Sequence, residues 1–154
     1  MPEIAIQVRD IRFWLKKWGL KSFCRHIITA AWQGFEPAEV SLVLANDSFI
    51  RVLNRDYRGK DSPTNVLSFE NATKPPKGQL WLAGDIIVAY ETLCRESRAQ
   101  KKSFEAHLAH LLIHGTLHLQ GYDHLNYKQA QRMEHLEIKI MNKLGYDNPY
   151  RNME

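Results

Sequence analysis

Residues 103–124 read Ser-Phe-Glu-Ala-His-Leu-Ala-His-Leu-Leu-Ile-His-Gly-Thr-Leu-His-Leu-Gln-Gly-Tyr-Asp-His and hold five of the seven histidines of the chain. The apolar, helix-forming residues of this stretch predict a helix from about Ser103 to Leu119. Gly121 offers a place for the helix to end, because glycine adopts a left-handed backbone at low cost. We therefore place the centre of the fold at this helix and look for chemistry at its histidine-rich end.

Three of these histidines have a spacing that suits one metal ion. His114 and His118 are four residues apart, so they share one face of the predicted helix. His124 follows after Gly121, where a turn can bring it back towards the first two. Three neutral imidazoles with an open fourth position are the ligand set of a catalytic zinc. We predict one zinc ion here, although nickel, cobalt or copper could occupy the same ligands.

The spacing His-x3-His-x2-Gly-x2-His also matches the metzincin metallopeptidases. In those enzymes a glutamate follows the first histidine and acts as general base, whereas this chain has Gly115 at that position. The ligand pattern therefore fits a metallopeptidase but the proteolytic chemistry does not. A metallopeptidase is kept as an alternative.

Other polar residues of this region have several readings. His110 and His107 lie one and two turns before His114, on nearly the same side of the predicted helix as that residue. This placement predicts supporting or structural roles for them. Asp123 can cap the end of the helix, contact solvent or orient an imidazole. His26 and His135 have no such spacing and receive no role.

Hydrophobic periodicity predicts about four strands with helices packed on them, in one α+β (mixed α/β) domain over residues 1–154. Asp10 can cap the first helix, and Asn126 with Gln129 has the spacing of a capping box that opens the last helix. Gly145 should end the last helix, and we expect the tail from Tyr146 to be loose. The predicted strands are 4–8, 39–45, 65–69 and 83–89. The predicted helices are 11–31 with a break at Gly19, 46–57, 90–99, 103–119 and 127–144. The apolar positions of the first helical segment are Phe13, Trp14, Trp18, Phe23, Ile27 and Ala31.

Composition excludes several protein classes. The formal charge of +4 does not establish a nucleic-acid partner, but it removes the repulsion that phosphate would meet on an acidic protein. Cys24 and Cys94 are too few for a disulfide framework, so we expect reduced thiols. Residues 1–10 do not show the long apolar core expected of a signal peptide, and no stretch approaches the roughly 18 apolar residues of a membrane span. We expect a soluble cytoplasmic protein with no membrane partner.

Three segments resemble the YbeY family of bacterial endoribonucleases. The first is the histidine segment 114–124, which reads His-Gly-Thr-Leu-His-Leu-Gln-Gly-Tyr-Asp-His. The second is the segment 54–69, which reads Asn-Arg-Asp-Tyr-Arg-Gly-Lys-Asp-Ser-Pro-Thr-Asn-Val-Leu-Ser-Phe, and the third is Gly-Asp-Ile at 84–86. The resemblance extends from about Val40 to Tyr150, and the first forty residues look more divergent.

The resemblance implies a metal-dependent endoribonuclease specific for single-stranded RNA, active in 3′-end maturation of 16S rRNA and in ribosome quality control. Its implied partners are single-stranded RNA and the ribosome or its small subunit, and the oligomeric state is left open. It also implies that Arg58 and the three histidines are the functional positions, with Arg58 and His114 in catalytic roles.

Arg58 has two readings from the residues alone. It is either a solvated loop arginine or a clamp for phosphate, which guanidinium binds through a fork of donors. Lys60 and Arg55 are candidates for a basic rim along the RNA backbone, and Asp85 is either structural or catalytic. A ribosome-associated RNA-binding factor with a structural metal is the first alternative function, and the metallopeptidase is the second.

Overall fold

The computed structural model of the chain describes residues 1–14 and 19–151. These contain β1 (Glu3–Val8), α1 (Ile11–Trp14), α2 (Leu20–Ala31), β2 (Ala38–Ala45), α3 (Asp47–Arg58), β3 (Val66–Glu70), β4 (Trp81–Ala89), α4 (Tyr90–Ala99), α5 (Phe104–Leu119) and α6 (Tyr127–Lys143). The α+β class and the four strands are therefore confirmed. Gly19, the predicted break, has a left-handed backbone (φ of +41°) directly before α2. Residues 15–18, which include the predicted apolar position Trp18, lie outside the described residues.

The four strands form one sheet in the order β1-β2-β4-β3. The first three strands in this order are parallel, and β3 pairs with β4 in the antiparallel direction. Strand β3 lies at the end of the order, so within residues 1–14 and 19–151 one of its edges has no strand partner. That edge becomes one wall of the functional site.

Helix α5 is the centre of the larger core. Eleven of its residues are buried, because it packs on β3 and β4 and also contacts α2, α4 and α6. A helix that is apolar on nearly every side needs such neighbours to be stable in water. A smaller core lies between α3 and the sheet around Ile50, Leu67 and Ile87.

The end of α5 positions the third histidine. Gly121 has φ of +96°, the left-handed conformation expected from its residue type. Its N–H donates to the carbonyl of His118, and the N–H of Tyr122 donates to the carbonyl of Leu117. This pair of hydrogen bonds is a Schellman motif, which closes the helix and turns the chain sharply.

The caps of the neighbouring helices also follow the sequence. The side chain of Asn46 accepts a hydrogen bond from the N–H of Phe49 at the start of α3. The side chain of Asn126 does the same for Gln129 at the start of α6. Each such cap stabilises a fold by about 1 kcal/mol.

The prediction of a loose tail is wrong for residues 146–151. Pro149 is buried, and the backbone carbonyl of Pro149 accepts a hydrogen bond from Lys102 Nζ. Tyr150 is half-buried and donates its hydroxyl to Glu137 at 2.7 Å. The polarity of the tail suggested solvation, but these long-range partners hold it against α5 and α6.

Both cysteines are free thiols. Cys24 is fully buried, and burial raises the pKa of its thiol to about 12. In the described part of the chain, none of the helices is long and apolar enough to cross a membrane.

Candidate metal centre

The three predicted ligands come together at the C-terminal end of α5. The rings of His114 and His118 are 4.5 Å apart between centroids, and their Nε2 atoms are 3.0 Å apart. The ring of His124 lies 5.7 Å from that of His114 and 5.1 Å from that of His118. One ligand nitrogen from each lies within 4.8 Å of the others, so the group is close enough to share one ion.

The environment of His118 favours the neutral imidazole that a metal requires. Burial lowers the pKa of His118, and charge on His114 or His124 would lower it further. His118 is therefore uncharged at neutral pH and presents a free nitrogen lone pair. His124 is exposed at the turn, which leaves the cluster open to solvent on that side.

A buried carboxylate supports the cluster from behind. Glu137 of α6 is fully buried, and its Oε1 lies 2.9 Å from Nδ1 of His114 and 3.0 Å from Nε2 of His110. Burial raises the pKa of Glu137, but the hydrogen bonds from the two histidines outweigh this and hold it at about 2. An ionised carboxylate only accepts hydrogen bonds, so both imidazole nitrogens that face it must carry protons.

The donor set fits a divalent metal of the zinc type. With Nδ1 of His114 protonated towards Glu137, its Nε2 is the lone-pair nitrogen that faces His118. Three imidazole nitrogens of this kind suit zinc, copper, iron or nickel better than calcium or magnesium, which prefer oxygen ligands. Among the described residues no cysteine joins the group, which has three protein ligands rather than the four of a structural zinc.

The cluster opens into a cleft of about 660 Å³ between the free edge of β3 and helix α5. Its walls combine the edge strand, the histidine face of α5 and the tail. The lining residues are Arg58, Asn65, Val66, Leu67, Ser68, Phe69, Glu70, His110, Leu111, His114, His118, Asp123, His124 and Tyr150. A volume of this size is typical of a substrate site.

Arg58 lines the same cleft as the histidines. It is the last residue of α3, and its Nη2 donates to the carbonyl of Ser68 on the free edge of β3 at 2.9 Å. Its guanidinium carbon lies 5.0 Å from the ring centroid of Phe69. This one hydrogen bond leaves other guanidinium N–H groups available for an anion in the cleft.

The other basic candidates and Asp85 are placed differently. Arg55 pairs with its neighbour Asp56 at 2.9 Å, and Lys60 is exposed beyond the end of α3. Ile86 of β4 faces α5, since its Cγ2 would lie 3.0 Å from a Cβ at position 115. Successive strand residues point to opposite faces, so Asp85 lies on the far side of the sheet from the histidines.

The two earlier histidines of α5 each pair with a carboxylate. His107 Nε2 lies 2.8 Å from Oε1 of Glu96 on α4, and His110 Nε2 lies 3.0 Å from Oε1 of Glu137 on α6. Asp123 accepts a hydrogen bond from the backbone N–H of His124 at 2.8 Å and so braces the turn that carries the third ligand.

Sequence reasoning missed Glu137, Tyr150 and Glu70. Glu137 had a usable signal, because it occupies the apolar stripe of α6 together with Met133, Ile140 and Met141. A charged residue on such a stripe must find a buried partner. Tyr150 and Glu70 carry no comparable local signal.

Gly115 is required by close packing. A Cβ at this position would lie 3.0 Å from Ile86 Cγ2 and 3.1 Å from Ser68 Oγ. The space that a glutamate side chain would need at position 115 is therefore occupied by side chains of the sheet in this protein.

We expect Gly115→Ala to lower the free energy of unfolding by up to about 2 kcal/mol, because overpacking of the contact between α5 and the sheet costs about 1–3 kcal/mol and the gain of alanine over glycine inside a helix offsets about 1 kcal/mol of this. Urea unfolding followed by circular dichroism measures the change. Gly34→Ala is the matched control, since the nearest atom to its Cβ would be 3.4 Å away. Equal stability of the two variants would contradict the close approach.

Comparison with known proteins decides the family. A family model described as Endoribonuclease YbeY matches residues 5–145. This chain belongs to the YbeY endoribonuclease family. The match starts well before Val40, so the family extends over the first strand and helices that looked divergent in sequence.

Individual YbeY relatives agree with this assignment. Endoribonuclease YbeY of Rhizobium etli is 43% identical, with 99% of this chain and 95% of the relative covered. Endoribonuclease YbeY of Sinorhizobium medicae is 51% identical over 75% of this chain and 69% of its own length. The solution structure of TM1509 from Thermotoga maritima has the same fold, with a TM-score of 0.51, 23% identity, and coverage of 94% of this chain and 91% of that one.

Proposed function

We propose that this protein is a zinc-dependent endoribonuclease that cuts single-stranded RNA and acts in 16S rRNA 3′-end maturation and ribosome quality control. The observation that carries the chemistry is the convergence of His114, His118 and His124 with Arg58 in one open cleft. The family assignment supports the RNA substrate. The ribosomal role and a cytoplasmic location extend this proposal on the resemblance alone.

The histidines supply the ligands and Arg58 binds the substrate. Zinc, when bound, supplies Lewis acidity to a phosphoryl oxygen and lowers the pKa of water. Arg58 places its free N–H groups against a phosphate in the cleft, while its bond to the carbonyl of Ser68 holds the guanidinium at the edge of β3. Phosphodiester cleavage depends largely on positioning and charge stabilisation, which these groups provide.

Carboxylates are also present in the cleft. Glu70 and Asp123 both line it, so a proton acceptor need not occupy position 115. Oxygen Oδ1 of Asp123 is engaged by the backbone of His124, which leaves its second oxygen for a proton. The lack of a glutamate after His114 therefore counts against the metzincin mechanism without removing general-base catalysis.

The deciding experiment compares three substrates with one purified sample. We expect cleavage of unstructured RNA, little cleavage of the same RNA in a duplex, and no cleavage of casein. A chelator should abolish the RNA cleavage, and added zinc should restore it. Casein hydrolysis with intact RNA would favour the metallopeptidase.

The binding-factor alternative needs a separate measurement. A structural ion is closed to other ligands, whereas the proposed site keeps an open position towards the cleft. We expect a small zinc-binding inhibitor such as a hydroxamate to inhibit cleavage reversibly. Stoichiometric zinc with no inhibitor binding and no cleavage would favour a ribosome-associated factor.

A further inference from the structure

Glu137 connects the proposed ligand His114 to the C-terminal tail. Its Oε1 accepts from both His114 and His110, and its Oε2 accepts from the hydroxyl of Tyr150. The side chain is 1% exposed, so water does not replace these partners. Each of the three donors comes from a different place: the ligand, one turn earlier on α5, and the tail.

We propose that Glu137 is the positioning residue of the metal centre, with Tyr150 holding its second oxygen, so that metal affinity depends on the C-terminal tail. The inference rests on the proposed metal site. It adds a residue on α6 and a residue of the tail to a site whose ligands all lie in 114–124.

The first step in the argument is the choice of tautomer. A neutral imidazole has one protonated nitrogen, and free histidine exchanges between the two forms. The hydrogen bond to Glu137 places the proton of His114 on Nδ1 and leaves the lone pair on Nε2. Nε2 is the atom that lies 3.0 Å from Nε2 of His118, so the selected tautomer is the one that can share an ion with its neighbour.

The second step is charge. Glu137 carries a negative charge whose direct partners are two imidazoles and a phenol. A divalent cation held by Nε2 of His114 would supply the opposite charge, and the carboxylate makes that imidazole a stronger donor to the ion. Loss of such a carboxylate costs roughly 10–100-fold in metal affinity in other proteins.

The third step is the orientation of Glu137 itself. The carboxylate cannot rotate freely, because His110 and Tyr150 hold both oxygens. The ring of Tyr150 also packs edge-on against His110, with 5.1 Å between ring centroids. The tail therefore fixes the direction in which Oε1 points at His114.

The test uses Glu137→Gln, Glu137→Ala and Tyr150→Phe, and measures zinc affinity by competition with a chromophoric chelator. The amide oxygen of glutamine can still accept from His114 and His110, so this variant removes the charge and keeps the geometry. We expect zinc affinity to fall about 10–100-fold in Glu137→Gln, further in Glu137→Ala, and by a smaller factor in Tyr150→Phe. Glu36→Gln makes the same chemical change at an exposed position before β2, away from this network, and should leave the affinity unchanged.

A second measurement separates positioning from general stability. Long-range ¹H–¹⁵N spectra of the metal-free protein report which nitrogen of His114 is protonated. We expect the Nδ1–H form in wild type and in Glu137→Gln, and a mixture of both forms in Glu137→Ala. If Glu137→Ala does not fold, Glu137→Gln and Tyr150→Phe still carry the test.

Unchanged zinc affinity in folded Glu137→Gln and Tyr150→Phe would overturn the inference, as would a mixed tautomer in wild type. Neither measurement uses RNA. A protein that binds zinc in a Glu137-dependent way but leaves RNA intact would refute the proposed nuclease and keep the positioning role. A protein that cuts RNA but binds zinc with an affinity independent of Glu137 would support the proposed nuclease and refute the positioning role.

Discussion

Replacement of His118 by alanine should remove both the metal and the nuclease activity. The ring of His118 lies 4.5 Å from that of His114 and 5.1 Å from that of His124, and the described chain places no cysteine or further histidine in the group. Two imidazoles bind zinc much more weakly than three. We therefore expect a fall from about one zinc per chain to a trace in elemental analysis, with RNA cleavage at the level of a chelated sample.

The matched control is His135→Ala, which removes an exposed imidazole from α6. It should keep the zinc and the activity of wild type. A metal-free His118→Ala that cuts RNA at the normal rate would end the zinc-enzyme proposal. Stoichiometric zinc in wild type with RNA intact under all conditions would favour the ribosome-binding alternative.

Replacement of Arg58 by alanine should separate catalysis from metal binding. The guanidinium lines the cleft, where it donates to the carbonyl of Ser68 and lies over the ring of Phe69 rather than belonging to the histidine group. Loss of one exposed hydrogen bond costs about 1 kcal/mol or less, so the variant should fold. We expect kcat/KM for RNA to fall about 10²-fold or more, as for loss of other anion-stabilising donors, with zinc content unchanged.

Two further variants sharpen this result. Arg51→Ala removes another arginine of α3, one that pairs with Asp61 outside the cleft, and should cleave RNA normally. Arg58→Lys keeps the charge but loses the fork of donors, so it should recover only part of the activity. Loss of zinc in Arg58→Ala would instead assign Arg58 a structural role.

These variants address two walls of one cleft. The histidines belong to α5, which is held in place by the buried core, whereas Arg58 reaches the cleft over the free edge of β3. The hydrogen bond to the edge strand thus holds Arg58, a residue from the first half of the chain, in the cleft that contains the histidine group. A substrate phosphate would lie between these walls.

The histidine group could be predicted because its geometry is local in the chain. Helical periodicity places His114 and His118 together, and the left-handed conformation at Gly121 turns the chain towards His124. Short-range backbone rules decide both features without reference to the rest of the fold. The elements were predictable for the same reason, since caps such as Asn46 and Asn126 act within three residues.

Tertiary structure decided the surroundings of the group. The partnership of Glu137 with His114 spans 23 residues, and Tyr150 reaches back 40 residues to His110. Register in the sheet placed Asp85 on the far face, although the sequence left its role open. The tail was predicted to be loose, but Tyr150 lines the cleft because its partners His110 and Glu137 come from other helices.

The sequence by itself therefore determined the group of three histidines, the helical spacing of His114 and His118, the turn that brings in His124, and the helices and strands that carry them. The tertiary structure decided which carboxylate supports His114, which strand faces the cleft, and that Arg58 lines the same cleft as the histidines. The physical reason is the distance along the chain over which each interaction acts. Backbone conformation and helical phase depend on residues that are close neighbours in sequence. A buried charge, by contrast, takes its partners from whichever elements the packed core brings within hydrogen-bond distance.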